Sequence, residues 1–153
     1  MKRKIQLLPD NIINKIAAGE VVERPSSVVK ELVENSIDAK STKIEIFIRN
    51  GGKAEITVVD NGEGISNMEL DMSVRRHATS KLKDNNLTNI HTLGFRGEAL
   101  SSISSVSDFF LSSNNNNSSG GFLINIIGGE FKYRKPVNHN KGTTVKVKNL
   151  FFN

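Results

Sequence analysis

Cysteine is absent from the 153-residue chain, which excludes disulfides and thiolate-held metals. Histidine is scarce, and His77, His91 and His139 lack the spacing of metal ligands. Long hydrophobic runs are missing too. Behind the basic start Met1-Lys-Arg-Lys4, the stretch Ile5-Gln-Leu-Leu8 is interrupted and too short for a signal-peptide core or a membrane span. An intracellular protein without a membrane partner is the expectation, nuclear if the source is eukaryotic. Carboxylates disappear after Glu130. Residues 1 to 80 carry 12 Lys or Arg against 12 Asp or Glu, and residues 81 to 153 carry 9 against 4, so the net charge of +5 belongs to the second half. Lys132 and Arg134 alternate with Tyr133, and Lys146 and Lys148 with Val145 and Val147, so each strand should gather its cations on one face. DNA is a reasonable partner for such a half, and a solvated outer sheet face is the plain alternative.

What is present amounts to one domain's worth of chain. Its apolar end, Asn149-Leu-Phe-Phe-Asn153, has no helix stop or polar tail, and residues 1–153 are expected to be a fragment of something longer. Helices are expected over 11 to 18, 26 to 38, 66 to about 75 and 98 to 106. Strands are expected over 43 to 49, 54 to 59, 108 to 112, 121 to 127, 131 to 135 and 143 to 149. Gly51-Gly52 marks a hairpin turn. The polar stretch from His77 to Thr92 has no period and should be a mobile loop, long enough to invite a functional reason. Asn114 to Asn117, followed by Ser118, Ser119, Gly120 and Gly121, is expected to be a disordered tip between strands. The fold class that follows is α+β, a two-layer sandwich with helices on one face of a mixed, largely antiparallel sheet.

Three stretches carry groups suited to chemistry. In Pro25-Ser-Ser-Val-Val-Lys-Glu-Leu-Val-Glu-Asn-Ser-Ile-Asp38, helical spacing gathers Val28, Val29, Leu32 and Val33 on one side and Glu31, Glu34, Asn35 and Asp38 on the other. Pro25 and the Ser26 or Ser27 hydroxyl suit its start. Such a stripe can polarise a water and hold a hard cation through oxygen, or it can be an ordinary solvated face. The second stretch, Asp60-Asn-Gly-Glu-Gly64, ends a strand with glycines that permit positive φ and close approach to a ligand. Asp60 only accepts hydrogen bonds, so it matches the exocyclic amine of adenine and repels the oxygen of guanine. A plain Asn-Gly turn is the competing account. Third, Gly94-Phe-Arg-Gly-Glu-Ala-Leu100 can bare backbone N–H groups to a phosphate where a helix begins, or can simply be a glycine-punctuated helix start. It is neither a Walker loop nor a dinucleotide fingerprint.

Taken together, these blocks resemble the N-terminal ATPase region of MutL-type mismatch-repair proteins, within the class that includes the ATPase subunit of gyrase, the Hsp90 chaperones and histidine kinases (the GHKL or Bergerat fold). Ile16-Ala-Ala-Gly-Glu-Val-Val-Glu-Arg-Pro25, Lys30-Glu-Leu-Val-Glu-Asn-Ser-Ile-Asp-Ala39, Asp60-Asn-Gly-Glu-Gly-Ile65, Arg76-His-Ala-Thr-Ser-Lys81, Gly94-Phe-Arg-Gly-Glu-Ala-Leu100 and Gly142-Thr-Thr144 carry the likeness from end to end. The resemblance implies ATP and Mg2+ as cofactors. Glu31 would be the general base, Asn35 the metal ligand and Asp60 the adenine reader. Thr143 would hold the base through water. Gly62, Gly64, a lid at Ala78, Thr79, Ser80 and Lys81, and the run Gly94, Phe95, Arg96, Gly97, Glu98, Ala99 and Leu100 would enclose the nucleotide. It further implies slow ATP hydrolysis driving a dimerisation switch in DNA mismatch repair, with DNA, a MutL-type paralogue or second copy and a MutS-type protein as partners. A transducer-like subdomain, which in this family supplies a lysine to the γ-phosphate, and a C-terminal dimerisation domain would lie beyond this chain, leaving the fragment weakly active or inactive. The alternative from another class is a non-catalytic, nucleotide-sensing, DNA-binding module.

Overall fold

Alternating side chains with β-branched enrichment become six strands in the computed structural model, which describes residues 24–74, 99–116 and 120–152. They are β1 (Ile44–Arg49), β2 (Glu55–Asp60), β3 (Asp108–Asn114), β4 (Phe122–Ile127), β5 (Glu130–Pro136) and β6 (Gly142–Lys148). They form one sheet in the order β1-β2-β6-β3-β4-β5. Every pairing is antiparallel, so the sheet is not mixed among the described residues. The helices α1 (Pro25–Asp38) and α2 (Ala99–Ser105) pack on it.

Residues opposite one another in an antiparallel pair share a face, so the register names the core. One row runs Ile56, Val147, Phe109, Ile126, and the next runs Val58, Val145, Leu111, Ile124. All eight are buried, together with Val28 and Leu32 of α1 and Ile103 of α2. Each fully buried side chain of this kind contributes about 1.5–3 kcal/mol of apolar transfer energy. A third row, Asp60, Thr143, Ser113 and Phe122, lies on the same face at one end of the sheet. There the apolar pattern turns polar.

Several expectations need correction. Helix α1 begins with Pro25 in its first turn, but its cap is Arg24 and neither serine hydroxyl caps it. Residues 66–75 form no α-helix within the described part. Ser66 Oγ accepts from the Glu69 N–H at 3.2 Å, as a cap would, and donates to Glu69 Oε1 at 3.0 Å, but turns and a short 3-10 segment, Met72–Val74, follow. Asn114 is not part of a loose tip. It ends β3, is buried, and its amide donates to the His139 carbonyl at 2.9 Å. Within β6, Lys146 and Lys148 do share one face, as expected of that strand, but Arg134 of β5 lies on the opposite face of the sheet. Lys146 and Lys148 pair with Thr57 and Glu55 on the side away from the helices, whereas Arg134 pairs with Ile124 and turns toward the helix side. The expected helix over 11 to 18 and the polar loop from His77 to Thr92 lie outside the described residues.

Candidate active site

Helix α1 meets the polar end of the sheet through Val28, Leu32 and Ser36, spaced four apart and all buried. The stripe of acids is therefore not a solvent face. Glu31 is only 4% exposed and flanks that apolar contact line, while Asn35 beside it is half-buried. Glu34 instead meets the exposed Lys30 at 3.9 Å. Ser36 sits five residues beyond Glu31, about 7.5 Å along the helix axis at 1.5 Å per residue. Glu31 and the residue whose side chain touches Asp60 are thus separated by more than one helical turn along α1.

Asp60 is the last residue of β2. Its carboxylate is buried and fully oriented: Oδ2 accepts from Ser36 Oγ at 2.6 Å, and Oδ1 accepts from the Gly62 N–H at 2.9 Å and the Thr143 N–H at 3.1 Å. Such multiple donation holds a buried carboxylate in one rotamer and offsets its desolvation. Thr143 also shares a hydrogen bond with Ser113, Oγ1 to Oγ at 2.8 Å. Ser113 in turn accepts from the Ile65 N–H at 2.8 Å and reaches the Gly142 carbonyl at 2.7 Å. One hydroxyl therefore ties the strap after Asp60 to the strands on either side. Sequence reasoning missed Ser36 and Ser113 as site residues, though a signal existed. Each continues an apolar stripe with a hydroxyl, Ser36 after Val28 and Leu32, and Ser113 after Phe109 and Leu111.

The glycines of the block act by size as much as by backbone freedom. Gly62 does not have positive φ. A Cβ there would lie 2.6 Å from Ser41 Oγ and 2.7 Å from the Ala39 carbonyl, so it is the close approach to the end of α1 that demands glycine. Gly64 does have positive φ, +76°, and a Cβ would overlap the Asn114 carbonyl. Asn61 precedes Gly62 and holds the α1–β1 connection, its Oδ1 accepting from the Thr42 and Lys43 N–H groups at 2.8 and 2.9 Å.

The structure brings Asp60, Gly62 and Thr143 together through hydrogen bonds, with Gly64 in the segment that follows and Glu31 and Asn35 on the helix whose Ser36 reaches Asp60. Ala99 and Leu100 turn their side chains to the core, the first buried and the second packed against it. Ala78, Thr79, Ser80, Lys81, Gly94, Phe95, Arg96, Gly97 and Glu98 lie outside the described residues. No group of three or more His, Asp or Glu suited to a metal occurs among the described residues.

The profile of the family described as histidine kinase-, DNA gyrase B-, and HSP90-like ATPase matches residues 23–136. The DNA mismatch repair protein MutL of Rickettsia bellii (strain OSU 85-389) is 50% identical over 148 residues, covering 97% of this chain and 24% of its own length. That of Rhodospirillum rubrum is 51% identical over the same extent. The chain therefore spans about a quarter of the length of these relatives. Both are bacterial, which gives the nuclear alternative no support. Among solved structures, the Aquifex aeolicus MutL ATPase domain complexed with ADP superposes with a TM-score of 0.69 at 39% identity, covering 86% of this chain and 45% of that one. The N-terminal domain of a DNA repair protein gives a TM-score of 0.76 at 33% identity over 92% of this chain and 40% of the other. No described helix is long and apolar enough to cross a membrane.

Proposed function

The chain belongs to the family of histidine kinase-, DNA gyrase B- and HSP90-like ATPases, in its MutL-type branch, and on that footing we propose that it binds Mg-ATP at the α1–β2–β6 corner and hydrolyses it slowly as part of a mismatch-repair switch. The observation that carries this reading is the buried Asp60 carboxylate, held by Ser36, Gly62 and Thr143. All three are donors, so the carboxylate stays an acceptor. Its remaining lone pairs match the exocyclic amine of adenine and oppose the carbonyl of guanine. Thr143 and Ser113 offer hydroxyls beside it for a bridging water.

Glu31 supplies the base. It accepts the proton of a water aimed at the terminal phosphate, while its burial keeps competing water away. Asn35 offers its amide oxygen to Mg2+, which when bound neutralises charge on the phosphates. The backbone around Gly94 to Leu100 and the segment Ala78 to Lys81 are proposed to enclose the triphosphate. In the whole protein, nucleotide binding promotes pairing of two such domains, with a paralogue or a second copy, and gates engagement of DNA and of a MutS-type partner. Histidine-kinase chemistry is a poorer account of the Gly94-to-Leu100 block. A Glu31→Ala change should leave ATP binding within about twofold while lowering turnover roughly 10²- to 10⁴-fold in the full-length protein. Normal turnover by that variant would remove Glu31 from the role and favour a nucleotide-sensing module.

A further inference from the structure

Sequence groups Arg134 with the surface cations, yet its guanidinium is half-buried and occupied on three sides. Nη1 meets Asp71 Oδ1 at 3.0 Å, Nη2 donates to the Asn67 carbonyl at 2.6 Å, and Cζ stands 4.6 Å from the centre of the Phe122 ring. These partners lead back to one place. Phe122 lies opposite Ser113 across the β3–β4 pair, in the row that ends at Asp60. Asn67 lies two residues after Ile65, whose N–H is held by the same Ser113 hydroxyl. The fork thus braces both the ring beside Ser113 and the strap that Ser113 anchors.

We propose that Arg134 is a positioning residue for the base end of the nucleotide site. It fixes the strap from Ile65 to Asp71 against β5 and so sets where Ser113 and Thr143 stand relative to Asp60. The proposal rests on the nucleotide reading of that site. A planar fork is needed, because one side chain must hydrogen-bond a carboxylate and a carbonyl while lying over an aromatic face. Lysine offers a single charged point and cannot do all three.

The test is a set of variants in the full-length protein, Arg134→Met, Arg134→Lys and Asp71→Asn, with ATP and GTP affinities, steady-state kinetics and thermal melting measured on each. Arg134→Met should weaken ATP binding about three- to tenfold and narrow the ATP-to-GTP preference, with the effect falling on KM rather than kcat. Arg134→Lys should lie between it and the parent, and Asp71→Asn, which leaves the Asn67 contact, should cost less. A lowered melting temperature with unchanged affinities and unchanged base preference would reduce Arg134 to a structural brace and overturn the proposal, as would a fall in kcat at unchanged KM. If the parent protein shows no ATP preference, or Asp60→Asn leaves the preference intact, the nucleotide reading itself fails and the proposal with it.

Discussion

Asp60 receives three hydrogen bonds from three different segments, so its orientation depends on residues outside its own strand. Ser36→Ala removes the 2.6 Å bond while preserving helix propensity, and should weaken ATP binding several-fold and lower stability, a hydrogen bond to a charged group being worth about 1.5–3 kcal/mol. Isothermal titration of the variant checks this, and an unchanged affinity would mean that Gly62 and Thr143 suffice. Gly64→Ala has a different character. It forces a Cβ into the Asn114 carbonyl at a positive φ, so it should lower the melting temperature and ATP affinity together, at a cost above about 1 kcal/mol. At this scale the sequence displays the proposed reactive groups but not their supports. Glu31, Asn35 and Asp60 stand out as candidates through the blocks that resemble MutL-type proteins, each block being ambiguous alone. Ser36 and Ser113 do not, since a serine on an apolar stripe is equally at home bonding its own helix, as Ser104 and Ser105 do.

Among the elements, α1 and the six strands follow the periodicities that announce them. What periodicity cannot give is the orientation of α1. Helical counting separates the apolar side from the acidic one, but which residues at the border are buried depends on the sheet beneath, and the sheet takes Glu31 and Ser36 into the contact. Leu32→Ala should cost about 2–5 kcal/mol of stability because the residue is 2% exposed in that contact, whereas Ile37→Ala, on the exposed side, should change stability by less than about 0.5 kcal/mol. Chemical denaturation of both variants checks the contrast, and equal costs would mean that α1 is docked differently. Competing hydrogen bonds accompany the missing helix after Ser66. The Asn67 carbonyl, which would accept from the residue-71 N–H in an α-helix, accepts from Arg134 instead, and Ser73 Oγ donates to the Leu70 carbonyl at 2.6 Å. The capping signal is real, but tertiary contacts and a competing hydroxyl stand against it.

Over the whole molecule, the +5 charge is divided more finely than a basic half suggests. Lys148 lies between Glu55 and Asp108 across neighbouring strands, and Arg134 is committed to the strap. Lys146 is better placed for a phosphate. If the open sheet face meets DNA, Lys146→Ala should reduce the salt slope of binding by about one unit while Lys148→Ala should do less, and equal slopes for both variants and the parent would place DNA elsewhere. The fold class is legible at this scale because all six strand patterns and the hairpin turn survive in short-range sequence. The strand order is not, since inserting β6 between β2 and β3 is a long-range choice that also puts Thr143 beside Asp60. That juxtaposition is the centre of the account. Titrating ATP against GTP with Mg2+, on the parent protein and on Asp60→Ala, tests it most directly. The parent should prefer ATP and Asp60→Ala should lose that preference, and a variant that still chose ATP over GTP as the parent does would contradict the site.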